Sequence, residues 1–124
     1  MVLMKILLID DNPIDLLLNE RVVRSVKPEA EIIKFKSGVE ALEYFTTIDE
    51  EIDLIFLDIK MPLMDGFQLL KEMERLGSAN FKATYMVSSS IDPIDIKRSK
   101  KSKLVKGFIE KPLSLQKLDP YLTH

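Results

Sequence analysis

Asp58 closes the apolar stretch Asp53-Leu54-Ile55-Phe56-Leu57 and is followed by Lys60-Met61-Pro62 and then Asp65-Gly66. A bare carboxylate in that setting serves as a nucleophile or a metal ligand. Three other apolar stretches finish on polar groups in the same way. Lys5-Ile6-Leu7-Leu8-Ile9 runs into Asp10-Asp11, Ala83-Thr84-Tyr85-Met86-Val87 into Ser88, and residues 105–109 lead to Lys111. If these stretches are parallel strands, their polar ends meet at one rim. Carboxylates gathered there repel one another and stay ionised at neutral pH only beside a cation. With oxygen ligands alone on offer, that cation is a hard divalent ion, and Mg²⁺ fits best. Phosphoryl transfer needs an in-line nucleophile together with positive charge or donors on the equatorial oxygens. Asp58 could attack, Mg²⁺ on Asp10 and Asp11 could hold one oxygen, Lys111 a second, and the Ser88 hydroxyl a third.

The elements that must position these groups follow from the hydrophobic pattern. Strand-length apolar runs alternate with segments of helical period, which is the pattern of a parallel sheet covered by helices. The first strand is expected over residues 4–9; Asn12-Pro13 then supplies a cap and a first-turn proline. The following helix shows Ile14, Leu17, Leu18, Val22 and Val26 on one face and is stopped by Pro28. Residues 31–36 read as the second strand, and Ser37 caps a helix with Val39, Leu42 and Phe45 inward and Tyr44 beside them. The third strand, 52–57, is apolar except for Asp53, as expected of a strand covered on both faces. Asp65-Gly66 opens a helix with Phe67, Leu70, Met73 and Leu76 inward, ended by Gly77.

Residues 83–87 form the fourth strand, after which Asp92-Pro93 starts a helix that is apolar nowhere between Lys97 and Lys103, so it should be weakly anchored. The fifth strand covers 105–109, and Ser114 caps a last helix with Leu115, Leu118 and Leu122, which Pro120 should end or kink early. Right-handed crossovers bring Asp10, Asp11, Asp58, Ser88 and Lys111 to the carboxyl edge of the sheet, where open α/β sheets bind ligands. The second strand ends in Phe35-Lys36-Ser37-Gly38 without a comparable group, which suits an outer position in the order 2-1-3-4-5. The expected fold is thus α/β, a doubly wound five-stranded parallel sheet with helices on both faces.

At 124 residues the chain has room for one core, so a single domain spanning 1–124 is expected. A formal net charge of -2 with interspersed signs argues against a dedicated nucleic-acid or membrane binder. Without cysteine, and with His124 the only histidine, zinc sites, disulfides and histidine catalysis are set aside. The N-terminal apolar stretch beginning Met1-Val2-Leu3 is too short for a signal core or a spanning helix; it reads as strand, and the protein as cytoplasmic. The one concentrated charge run, from Lys97 and Arg98 through Lys100, Lys101 and Lys103 to Lys106, reads as a solvated face, with a docking patch for an acidic partner as the alternative.

Taken together, Asp10-Asp11, Asp58 with Pro62 and Asp65-Gly66, Ser88, and Phe108 ahead of Lys111-Pro112 resemble the receiver domain of two-component response regulators, in its stand-alone, chemotaxis-regulator-like form. The resemblance covers the whole chain and implies a flavodoxin-like fold. It further implies that a histidine kinase or histidine phosphotransfer protein donates a phosphoryl group to Asp58. Mg²⁺ would be held by Asp11, Asp58 and the backbone carbonyl of Lys60, with Asp10 in support. Ser88 and Phe108 would act as switch residues, the serine moving toward the phosphoryl group and the aromatic ring turning inward with it, after which the surface of the fourth helix, fifth strand and fifth helix changes its partners. Phe108 lacks the hydroxyl of the tyrosine often found there, so a switch would be read through ring packing. Lys111-Pro112 resembles the family's cis-peptide site.

The alternative of the same fold is a receiver-like interaction scaffold that never carries phosphate; intact Asp10, Asp11, Asp58, Ser88 and Lys111 argue against it. An aspartate-nucleophile phosphatase would need a second acid two residues after the nucleophile, where Lys60 stands. Flavin binding would need a Ser/Thr/Gly-rich loop after the first strand, where Asp10-Asp11 would repel phosphate.

Overall fold

Runs of branched and aromatic residues make five short strands, β1 (Lys5–Ile9), β2 (Glu31–Phe35), β3 (Leu54–Asp58), β4 (Thr84–Ser88) and β5 (Val105–Glu110). In the computed structural model, which describes residues 3–77 and 80–122, they form one parallel sheet in the order β2-β1-β3-β4-β5. Met1, Val2 and His124, which entered the sequence reading, lie outside the described residues. β1, β3 and β4 are buried along their whole length, whereas β2, at the rim, is exposed or half-buried throughout. The register sets Ile9 beside Leu57, Leu57 beside Met86 and Met86 beside Phe108, so the strands end nearly level.

The helices are α1 (Pro13–Val26), α2 (Gly38–Thr47), α3 (Gly66–Leu76), α4 (Pro93–Ser99) and α5 (Leu115–Leu122). Alternation along each strand divides the core in two. On one face Leu7, Ile9, Ile55, Leu57 and Met86 pack against Ala41 and Phe45 of α2 and Phe67, Leu70 and Met73 of α3. On the other, Ile6, Leu8, Phe56, Tyr85 and Val87 pack against Leu16 and Val23 of α1 and Leu118 and Leu122 of α5. Each side-chain cap falls at a residue of the expected type. Asn12 accepts the amides of Ile14 and Asp15, Ser37 that of Glu40, and Asp92 that of Ile94, while Asp65 and Gln68 form a reciprocal capping box.

Four helix expectations are corrected. In α1 the buried residues are Leu16, Asn19 and Val23, while Ile14, Leu17 and Leu18 are exposed. Ile14 and the run Leu16-Leu17-Leu18 place apolar groups on nearly every side of the first two turns, so periodicity does not select the face. In α2 the buried residues are the small Gly38, which lies against Met64, and Ala41, with Phe45, while Val39 turns outward. Leu76, the last residue of α3, and Leu115, the first of α5, are exposed. Finally, α5 continues through Pro120 to Leu122. Burial of Leu118 and Leu122 offsets the hydrogen bond that the proline cannot make.

α4 is as loosely held as its sequence suggests. It has seven residues, of which only Ser99 is buried, and its Arg98 guanidinium lies 4.2 Å from the centre of the Phe67 ring.

On β5, a methyl group added at Gly107 would come within 2.9 Å of the Tyr121 hydroxyl and 3.0 Å of its ring. That ring can swing, at the expense of its packing on Tyr85, 4.6 Å away between centroids. Gly107→Ala is therefore expected to lower stability by about 1 kcal/mol in urea denaturation, with the fold intact.

Candidate functional site

The carboxyl edge gathers the groups that finish the strands. Asp10 leaves β1, Asp58 ends β3 and Ser88 ends β4, and all three are buried; Asp11 stands at the surface beside them. Backbone pairing pins these ends. The amide of Asp10 donates to Phe35 O at 3.1 Å, that of Ile59 to Val87 O at 3.1 Å, and that of Lys111 to Ser88 O at 2.7 Å. Just past Asp58 the chain turns back, so that the Gly66 amide donates to Ile59 O at 2.8 Å, and α3 begins directly beneath the strand end.

Lys111 reaches into the acidic group from the end of β5, and the Lys111-Pro112 bond is cis. Its ammonium lies 2.7 Å from Asp10 Oδ2, 3.2 Å from Asp58 Oδ1 and 2.9 Å from Asp15 Oδ2. Asp10 Oδ1 accepts the Asn12 amide at 2.9 Å, so Asp10 also shapes the turn that leads into α1. Its other oxygen, Oδ2, is fully buried and accepts no aligned hydrogen bond; Lys111 meets it as an ion pair.

Burial, reinforced by the charge of Asp10, pushes the Asp58 carboxyl from its ordinary 3.8 up to about 6, against the opposing pull of Lys111. For Lys111 the balance goes the other way. Burial disfavours its charge, but the Asp10 and Asp15 carboxylates outweigh burial, and with Asp58 they hold the ammonium protonated well above the usual lysine range.

Asp10, Asp11 and Asp58 can each offer one carboxylate oxygen with all three oxygens within 4.8 Å of one another. The donor set is entirely oxygen, it carries excess negative charge, and one of its buried oxygens lacks an aligned donor. Those features fit a hard divalent cation.

Of the other residues singled out in the sequence, Ser88 is the one buried member of its serine run, and its hydroxyl accepts the Ser90 amide at 3.3 Å. Phe108 is half-buried on β5, two strands from the β3 that carries Asp58, and packed against the core. Lys60 is exposed and, with Met61, Pro62, Asp65 and Arg98, lines an open cleft of about 530 Å³ beside the triad. The residue that sequence reasoning missed is Asp15. An acidic residue in the first helical turn reads as an ordinary partner of the helix dipole, and nothing local shows that Lys111 will reach it.

A doubly wound sheet carrying three carboxylates and a lysine at its carboxyl edge has the architecture of a receiver module, which is a signalling domain rather than an enzyme. The family model for the response regulator receiver domain matches residues 6–123, and the chain belongs to that family. Among curated relatives, it is 31% identical to the two-component response regulator ARR17 of Arabidopsis thaliana, over 96% of this chain and 82% of that protein. It is 26% identical to ARR22 of the same plant, over 98% and 83%. Among solved structures, a two-component response regulator from Cytophaga hutchinsonii superposes with a TM-score of 0.83 at 26% identity, covering 97% of this chain and 94% of that one. The chemotaxis response regulator CheY4 of Vibrio cholerae shares the fold, with a TM-score of 0.81 at 22% identity over 98% of each chain. Among the described residues no helix is long and apolar enough to cross a membrane. Membership of the family implies a kinase partner.

Proposed function

We propose that the chain, as a single receiver unit over residues 1–124, accepts a phosphoryl group on Asp58 from a histidine kinase or a histidine phosphotransfer protein. The supporting observation is the Asp58 carboxylate itself, buried at a strand end, flanked by Asp10 and Asp11, and 3.2 Å from the Lys111 ammonium. An Asp58 oxygen forms the new bond to phosphorus as the N–P bond of the donor phosphohistidine breaks. The electron pair returns to the imidazole nitrogen, which takes a proton.

Lys111 would neutralise one phosphoryl oxygen, and the Ser88 hydroxyl would donate to another. Asp10, Asp11, Asp58 and the backbone carbonyl of Lys60 would hold Mg²⁺, which when bound supplies charge neutralisation for the transferring group. Ser88 and, behind it, the Phe108 ring would carry the change to the surface formed by α4, β5 and α5, where an unidentified downstream protein reads it. A donor that draws on ATP fits operation in the cytoplasm. The formal net charge of -2 fits protein partners and argues against a dedicated nucleic-acid or membrane binder.

Incubation with acetyl phosphate and Mg²⁺ is expected to add one phosphoryl group, which borohydride reduction and peptide mass spectrometry map to Asp58. Chelation of the metal or Asp58→Asn should abolish the label. A parent protein that stays unlabelled, though folded and metal-bound, would favour the phosphate-independent scaffold instead.

A further inference from the structure

Lys111 has three carboxylate partners, and one of them stands outside the acidic triad. Asp15 Oδ2 lies 2.9 Å from the ammonium, farther than the triad's Asp10 at 2.7 Å and nearer than Asp58 at 3.2 Å. The contact joins residues 96 positions apart in the chain. Asp15 is also the most exposed of the three, its side chain 34% accessible against 3% for Asp10 and 7% for Asp58, while that of Lys111 is 13% accessible. The ammonium is therefore held between two buried carboxylates and one at the mouth of the site, where Asp15, Leu18, Asn19 and Ser89 line a cleft of about 290 Å³.

We propose that Asp15 is a positioning residue: it gives Lys111 a counterion outside the triad, onto which the ammonium withdraws when a divalent cation takes Asp10 and Asp58. The inference rests on the reading of the triad as a Mg²⁺ site. Without a metal, Lys111 is the resident cation of the pocket and competes for the oxygens that a metal must take. A largely buried ammonium that gives up Asp10 and Asp58 without another anion in reach would be left unpaired, which is costly in a low-dielectric site. Asp15 removes that obstacle, and it does so without entering the metal's own ligand set. A helix-dipole role alone would be satisfied with the Asp15 side chain facing solvent; the pairing across the pocket is a separate fact.

Mg²⁺ affinity, measured by calorimetry on the parent, Asp15→Asn, Lys111→Met and the double variant, tests the idea. Asp15→Asn is expected to weaken Mg²⁺ binding about fivefold in the parent, the scale of one partly exposed ion pair, and by less than about twofold where Lys111 is already neutral. Equal losses in both backgrounds would overturn the proposal, since Asp15 would then be acting only as one more negative charge. No loss in the parent would overturn it too, and so would a parent that binds no Mg²⁺. Should Lys111→Met not fold, Lys111→Gln supplies the neutral background. Acetyl phosphate labelling of the same proteins separates this idea from the proposed function. An unlabelled parent that shows the calorimetric pattern would overturn the phosphoacceptor reading and leave the role of Asp15 standing.

Discussion

Replacing Asp58 with asparagine is expected to stabilise the metal-free protein at pH 7 by about 2 kcal/mol while removing the proposed phosphoacceptor. The cause is the crowding of the site. Burial and Asp10 raise the Asp58 carboxyl to about 6 from 3.8, so the folded chain holds this proton more tightly than the unfolded chain does. Such a group contributes stability that is fully present below its unfolded value and is lost as the pH rises through its folded one. The parent should therefore lose stability from about pH 4 to about pH 6 through Asp58, and above that range it carries the full cost of the buried charge. Asparagine keeps the shape and can still accept from Lys111, which retains Asp10 and Asp15 as counterions.

Urea denaturation in a chelator across this pH range is the measurement. The variant should be the more stable at pH 7, and the two curves should converge toward pH 4. Adding Mg²⁺ at pH 7 should narrow the gap, because the cation binds the folded parent more strongly than the folded variant. A variant no more stable than its parent at pH 7 would mean that Lys111 already offsets the charge in full.

The second large effect falls on a residue with no side chain. A methyl group at Gly66 would lie 2.5 Å from the carbonyl oxygen of Asp58 and 2.9 Å from the Cα of Ile59. Both are backbone atoms of the strand end, and neither can swing aside as the Tyr121 ring can at Gly107. Gly66→Ala must push α3 away from β3 and stretch the 2.8 Å bond from the Gly66 amide to Ile59 O. A loss of about 3 kcal/mol is expected, at the high end of overpacking costs. The displaced backbone is the one that carries Asp58, so Mg²⁺ affinity should fall as well. Unfolding and calorimetric titration of this variant beside Gly107→Ala separate the two cases. Equal, small effects at both glycines would show that the start of α3 yields more easily than its contacts suggest.

The strands and their common rim were legible because the central strands are apolar nearly without interruption and each is followed by a polar group and a cap. These signals are local, and they agree with one another. The faces of the helices were less legible. In α1 the run Leu16-Leu17-Leu18 leaves the inward side undetermined until the sheet is in place, and in α2 the closely packed positions are the small Gly38 and Ala41, which no hydrophobic pattern marks. Pro120 misled for a related reason, since the rule for proline in a helix carries no information about how firmly Leu118 and Leu122 are docked. The acidic triad could be placed by strand order alone. Asp15 could not, because its contact depends on how far and in which direction Lys111 extends from β5.

The two outer strands bear on how copies of this chain meet one another. β2 presents charged Glu31 and Lys34 to solvent, the latter paired with Glu20, and β5 carries exposed Lys106 with Tyr121 drawn over Gly107. Charged, short edge strands discourage the addition of a further strand from another molecule. At high concentration the sheet is thus guarded against growing sideways into a fibre by strand addition from another copy.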